Sequence, residues 1–148
     1  MKLAEALLLR ADIMRKIEHL QNRITPVLIV SDDKLPQEDP DKLIAQLRKA
    51  IQDLESLIVR INRTNNETKI EGEGSLMEAL AKRDSLKMLS EKLRNIRYAA
   101  QLNNSSEKNL KTTVDIKRLQ VEMDQTGRAF RDIDSKIQGL NWLTELIE

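Results

Sequence analysis

Six polar side chains fall in or beside stripes of apolar ones: Arg10, Asn62, Asn65, Arg83, Asp84 and Asp134. Arg10 lies among Ala6, Leu7, Ile13 and Met14, Arg83 follows Ala79 and Leu80, and Asp134 sits between Phe130 and Ile137. Asn65 continues the spacing of Leu54, Leu57 and Ile61 by one further turn, and Asn62 precedes it. A guanidinium offers five N–H donors in a planar fork that matches a carboxylate or a phosphate, and an amide can satisfy whatever donors or acceptors remain. The chemistry open to this set is recognition of a small anionic group, or an internal network in which Asp134 pairs with Arg10 or Arg83 while Asp84 assists. A single arginine in an apolar stripe can carry its head past its neighbours to water. A buried cluster needs its charges paired, and departures from an otherwise regular pattern are where partner contacts gather.

No other constellation points to chemistry. His19 is the single histidine and there is no cysteine, so no zinc spacing occurs, and the di-iron bundle motif, which needs two Glu-x-x-His pairs, is excluded for one chain. No metal site, no cofactor and no catalytic residue is specified, and Gly72-Glu73-Gly74 reads as a turn, not a phosphate-cradling loop. The basic run Lys82, Arg83, Lys87, Lys92, Arg94 and Arg97 could meet phosphates, but Asp84 and Glu91 are interleaved and no aromatic side chain is interleaved with it to stack bases. It reads as a solvated helix face, and nucleic acid is not an expected partner. Arg63 projects opposite Leu57 and Ile61, toward solvent or another subunit.

The elements that must position these residues are helices. Leu3, Ala6, Arg10, Ile13, Ile17, Leu20 and Ile24 recur at three-four spacing until Pro26, which predicts a helix over residues 2 to 24. Residues 25 to 39 read as a long connection whose apolar run, Val27 to Val30, packs back on the helices. Asp39 followed by Pro40 marks the start of a second helix, to about residue 65, with Leu43, Leu47, Ala50, Leu54, Leu57 and Ile61 as its seam. Ile44, Ile51 and Ile58 broaden that seam. Ser75 and Glu78 form a capping box for a helix over 75 to 102, and Asn103 to Ser106 is the next break. Thr112 and Asp115 suggest a second box, predicting a fourth helix over 113 to 146 with Phe130 in its stripe.

Helices of this length, about 35 to 50 Å at the standard rise, predict an all-α fold: an elongated up-down-up-down four-helix bundle forming one domain over 1 to 148. In that topology the six polar residues gather at one end. A 148-residue chain can build one core without disulfides or metals, and aromatic residues at 2% make that core aliphatic. Net charge of +1 provides no global field for nucleic acid or acidic lipid. The apolar run Ala6 to Leu9 is too short for a signal-peptide core or a membrane span, so the expectation is a cytoplasmic protein with no membrane contact. Leu7, Leu8 and Leu9 in succession cover more than half the circumference of the first helix, which predicts a homo-oligomer.

The segments Met1 to Leu7, Arg60 to Asn65, Leu80-Ala81 with Arg83-Asp84, Thr113 to Asp115, Leu119-Gln120, Ile137-Gln138 and Asn141-Trp142 are fairly specific in combination. Through them the chain resembles, nearly end to end, a family of small uncharacterised bacterial helical proteins often named septicolysin. The resemblance implies a helical fold; a cytolytic activity does not carry over to a chain without cysteine or an apolar segment able to enter a bilayer. The leading expectation is an intracellular interaction or structural protein that self-associates. The alternatives are a binder or enzyme for a small anionic ligand and a weak nucleic-acid binder.

Overall fold

The computed structural model describes residues 1–102 and 110–148, so the break expected at 103 to 106 lies outside the described residues. The fold is mostly helical with one small sheet. In order, α1 is Leu3–Ile24, followed by a 3-10 turn at Thr25–Val27, α2 is Pro40–Glu67, β1 Lys69–Ile70, β2 Gly74–Ser75, α3 Leu76–Leu102 and α4 Ile116–Leu143. The chain forms two compact units, one of Met1–Glu67 with Asn141–Glu148, the other of Thr68–Leu140.

In the first unit α1 and α2 run antiparallel. Leu20, Ile24 and Val27 meet Leu43 and Ala50 in a buried cluster, flanked by Ile13, Ile17, Ile44 and Leu47. The Asp39 carboxylate accepts the Asp41 N–H at 3.0 Å and the Lys42 N–H at 3.3 Å, which is the cap that Pro40 cannot disturb because it has no N–H to satisfy. Arg23 forks onto Glu38 across the connection and holds that carboxyl below its ordinary range. Of the apolar run expected to pack back, only Val27 is buried; Ile29 and Leu35 are 89% and 91% exposed. The reason is local: the 3-10 turn ends at Val27 and a turn closed by Lys34 N–H to Ser31 O carries the following residues into solvent.

The other end of this unit is closed by residues 144 to 148. Leu3 N–H donates to Thr144 O at 2.9 Å and Leu146 N–H to Met1 O at 2.8 Å, so Lys2 and Glu145 form an antiparallel bridge. The helix expected to reach 146 therefore stops at Leu143, because the last carbonyls turn outward to other donors; Leu143 O accepts from Lys2 Nζ at 3.1 Å. Leu146 is buried along with Leu3, Leu57 and Ile61.

The second unit opens with a hairpin in which Lys69 pairs with Ser75 and Ile70 with Gly74. The turn read from Gly72-Glu73-Gly74 is present, now with a strand on each side. Both glycines adopt positive φ, 78° and 85°, and a Cβ on Gly74 would collide with the Glu78 carboxylate. Leu76 and Ala79 on α3, and Ile133 and Ile137 on α4, are fully or almost fully buried. The start of α4 is Ile116, three residues later than 113. Asp115 is its cap, taking the Arg118 N–H on its carboxylate and the Leu119 N–H on its carbonyl, whereas the Thr112 hydroxyl accepts the Val114 N–H ahead of the helix.

Candidate functional site

The six residues singled out from the sequence divide between the units: Arg10, Asn62 and Asn65 in the first, Arg83, Asp84 and Asp134 in the second. Arg10 is exposed, and no ion pair involves it among the described residues. Its expected place in the centre of a buried stripe is corrected. The middle of α1 covers little of the core, with burial confined to Leu3, Ala4 and Ala6 at one end and Leu20 and Ile24 at the other. Asn62 is exposed and Asn65 half-buried, and among the described residues neither makes a side-chain hydrogen bond within its unit.

The second trio is brought together. Arg83 donates through Nε and Nη2 to Asp84 Oδ1, at 3.0 and 2.8 Å, while its Nη1 lies 3.6 Å from Asp134 Oδ1. The two helices run antiparallel past each other here, which sets Arg83 near the start of α3 beside Asp134 near the end of α4. Arg83 and Asp134 are 24% and 34% exposed, so the pair is partly shielded from water without being desolvated. A guanidinium already held by two carboxylates has little left for an external anion.

One turn before Arg83, the hairpin and α3 are locked. Glu78 accepts from both the backbone N–H (2.7 Å) and the hydroxyl (2.8 Å) of Ser75, whose oxygen in turn takes the Glu78 N–H at 3.2 Å. The Ser75 N–H, then its hydroxyl, hold the Glu78 carboxyl below its ordinary range, with Lys69 adding to the effect. Lys82 reaches back to Glu73 at 2.6 Å.

In the first unit Arg63, expected to face solvent or another subunit, has an intramolecular acceptor: Nη1 donates to Glu148 O at 2.5 Å. Arg60 donates to Ile147 O and to the Glu148 side chain, and the buried Thr64 hydroxyl accepts the Ile147 N–H at 3.0 Å. These contacts fasten the closing segment and make Arg60 and Arg63 structural residues.

Two surface features remain that could engage something outside the chain. On α2 a second stripe runs beside the buried one: Leu43, Ala50, Leu57 and Thr64 are buried, while Ile44, Ile51, Ile58 and Asn65 follow at the next position of each heptad. Ile51 and Ile58 are 48% and 38% exposed. In the second unit, α3 and α4 enclose a cleft of about 360 Å³, lined by Ser90 and Arg94 from one helix and Asp124, Gly127, Arg128 and Arg131 from the other. Arg128 and Arg131 were missed in the sequence because they belong to no run and sit in no apolar stripe. Only the register of α3 on α4 brings them opposite Arg94.

Among the described residues no group of three or more His, Cys, Asp or Glu side chains could hold a metal ion, and no helix is long and apolar enough to cross a membrane. A comparison with curated proteins yields no match. Among solved structures, the chain is similar to the crystal structure of a functionally unknown conserved protein from Corynebacterium diphtheriae, at 29% identity and a TM-score of 0.90, with 99% of each chain covered. The model of a family of unknown function, DUF6847, matches residues 10–146, and the chain belongs to that family.

Proposed function

We propose that this family member is an intracellular interaction protein that self-associates through the outer isoleucine stripe of α2. The observation that carries the reading is the heptad spacing of the exposed Ile51 and Ile58, following the half-buried Ile44 and with Asn65 next in line, beside an inner stripe that is already buried. A stripe repeating every seven residues matches a second helix of the same kind. β-Branched residues at one heptad position, with a single polar amide in register, are the pattern that selects two strands and fixes their alignment. Covering the part of each isoleucine that is still exposed contributes about 1 kcal/mol, a fraction of the value for full burial, so the four in a symmetric pair would offset part of the cost of association. A symmetric pair has the further property that one stripe covers its own copy.

The up-down-up-down packing of the four helices, a cytoplasmic location and kinship with the septicolysin-named family belong to the same proposal. The short connection between α2 and α3 supports the first, and the absence of cysteine from the sequence supports the second. Residues 60 to 65 and 141 to 142 support the third. Nucleic-acid binding along α3 is the weaker reading, since Lys82 and Arg83 are engaged by Glu73 and by Asp84.

Light scattering tests the proposal. The expected result is a mass of twice 17.0 kDa at micromolar concentration, falling to the monomer value in an Ile51→Glu, Ile58→Glu variant whose helical content is unchanged. A monomeric wild-type protein, or a variant that still associates, would exclude the stripe as the contact.

A further inference from the structure

We infer that the cleft between α3 and α4 in the second unit binds a phosphate dianion, either inorganic or as the terminal group of a small phosphate ester. Three guanidiniums, those of Arg94, Arg128 and Arg131, line one cavity of about 360 Å³, and among the described residues none of them has an ion-pair partner. The one carboxylate in the wall, Asp124, already accepts the Gln120 amide at 2.9 Å. The side chains of the wall therefore carry two positive charges in excess, which matches a dianion. Each arginine can offer two parallel N–H donors to a tetrahedral oxyanion, and the Ser90 hydroxyl adds a neutral donor on the α3 side.

The floor of the cleft is shaped for this. Gly127 stands in the interior of α4, where glycine is less favourable than alanine by about 1 kcal/mol, so its lack of a side chain calls for a compensating reason. A Cβ there would come within 3.4 Å of Arg131 Nη1: the Arg131 guanidinium is folded back over the glycine and into the cavity. The cavity is at the lower end of the size range of small-molecule sites, room for one phosphate with a small substituent. Among the described residues no aromatic side chain lines it to stack a base, Met123 being its apolar wall.

The experiment is a titration of the full chain at low ionic strength with inorganic phosphate, inorganic diphosphate, succinate and a short single-stranded oligonucleotide. It is read by melting temperature and by the arginine Nε–H resonances in NMR spectra. Phosphate and diphosphate should raise the melting temperature saturably and move the Arg94, Arg128 and Arg131 signals. Arg94→Gln and Arg128→Gln should each weaken binding about tenfold or more, while Arg48→Gln, on the exposed face of α2, should leave it unchanged. Should a variant fail to fold, the resonance shifts in the wild-type chain decide. No saturable response at millimolar phosphate, shifts confined to other arginines, or undiminished binding in both cleft variants would overturn the inference. Succinate acting as well as phosphate would overturn the assigned class, and tighter binding of the oligonucleotide would do the same.

Discussion

At the scale of single residues, Arg83 and Glu78, both held by neighbouring polar groups, behave differently. Arg83 is shared between Asp84 and Asp134, and both it and Asp134 keep access to water, so neither charge is stranded when one contact is lost. Asp134→Ala should therefore destabilise by no more than about 1 kcal/mol in chemical denaturation, the value of a surface pair and well below the 3 to 5 kcal/mol of a buried one. A larger loss would show that the Asp84 contact cannot hold Arg83 alone. Glu78 gives a pH signature. Its folded-state carboxyl lies below the ordinary 4.5 because Ser75 donates to the charged form, so the stabilisation is fully present above that value and disappears as pH falls through the lower folded one. Melting temperature should be insensitive to this group from pH 7 to 5 and decline on further acidification. Glu78→Gln, which keeps an acceptor but cannot titrate, should flatten that decline in part, with Glu38 and Glu145 left to supply the remainder. An acid limb identical in the variant would remove Glu78 from the account.

At the scale of elements, the helices were legible because their signals are local. Asp39 before Pro40, and Ser75 three residues before Glu78, cap helices through contacts within one turn, and the structure has both. The stripes marked the right helices while leaving their depth open. Leu54 and Phe130, which the sequence places in the core, are half-buried, whereas Leu57 on α2 and Ile137 on α4 are almost wholly enclosed. Leu57→Ala and Ile137→Ala should each cost about 2 to 5 kcal/mol, and Leu54→Ala and Phe130→Ala distinctly less, since the cost follows the cavity left behind. Urea titrations of the four variants would order them, and equal losses at all four would refute this ranking of depth.

At the scale of the molecule, the first unit is built from both ends of the sequence: the extended residues 144 to 148 lie against the start of α1 and the end of α2. That segment supplies two backbone hydrogen bonds to Met1 and Leu3, one to Thr64, and the buried Leu146 side chain. Removing residues 144 to 148 should lower stability by roughly 3 to 5 kcal/mol, taking about 1 kcal/mol for each hydrogen bond and about 2 for the leucine. Thermal melts of the truncated chain would show it, and an unchanged melting temperature would mean that the segment is not held in solution.

The sequence by itself determined the helical class, three of the eight helix ends to the residue, and the glycine turn before α3. Those features depend on periodicity and on contacts between residues a few positions apart, which a single chain displays directly. Tertiary structure alone decided that Arg10 lies in solvent, that the segment after Leu143 leaves the helix to bridge Lys2, and that Arg94 faces Arg128 and Arg131 across a cavity. Each of these depends on which face of one helix meets which level of another. That choice rests on packing between residues far apart in the chain, and a stripe three positions wide in seven leaves room for more than one rotation of each helix.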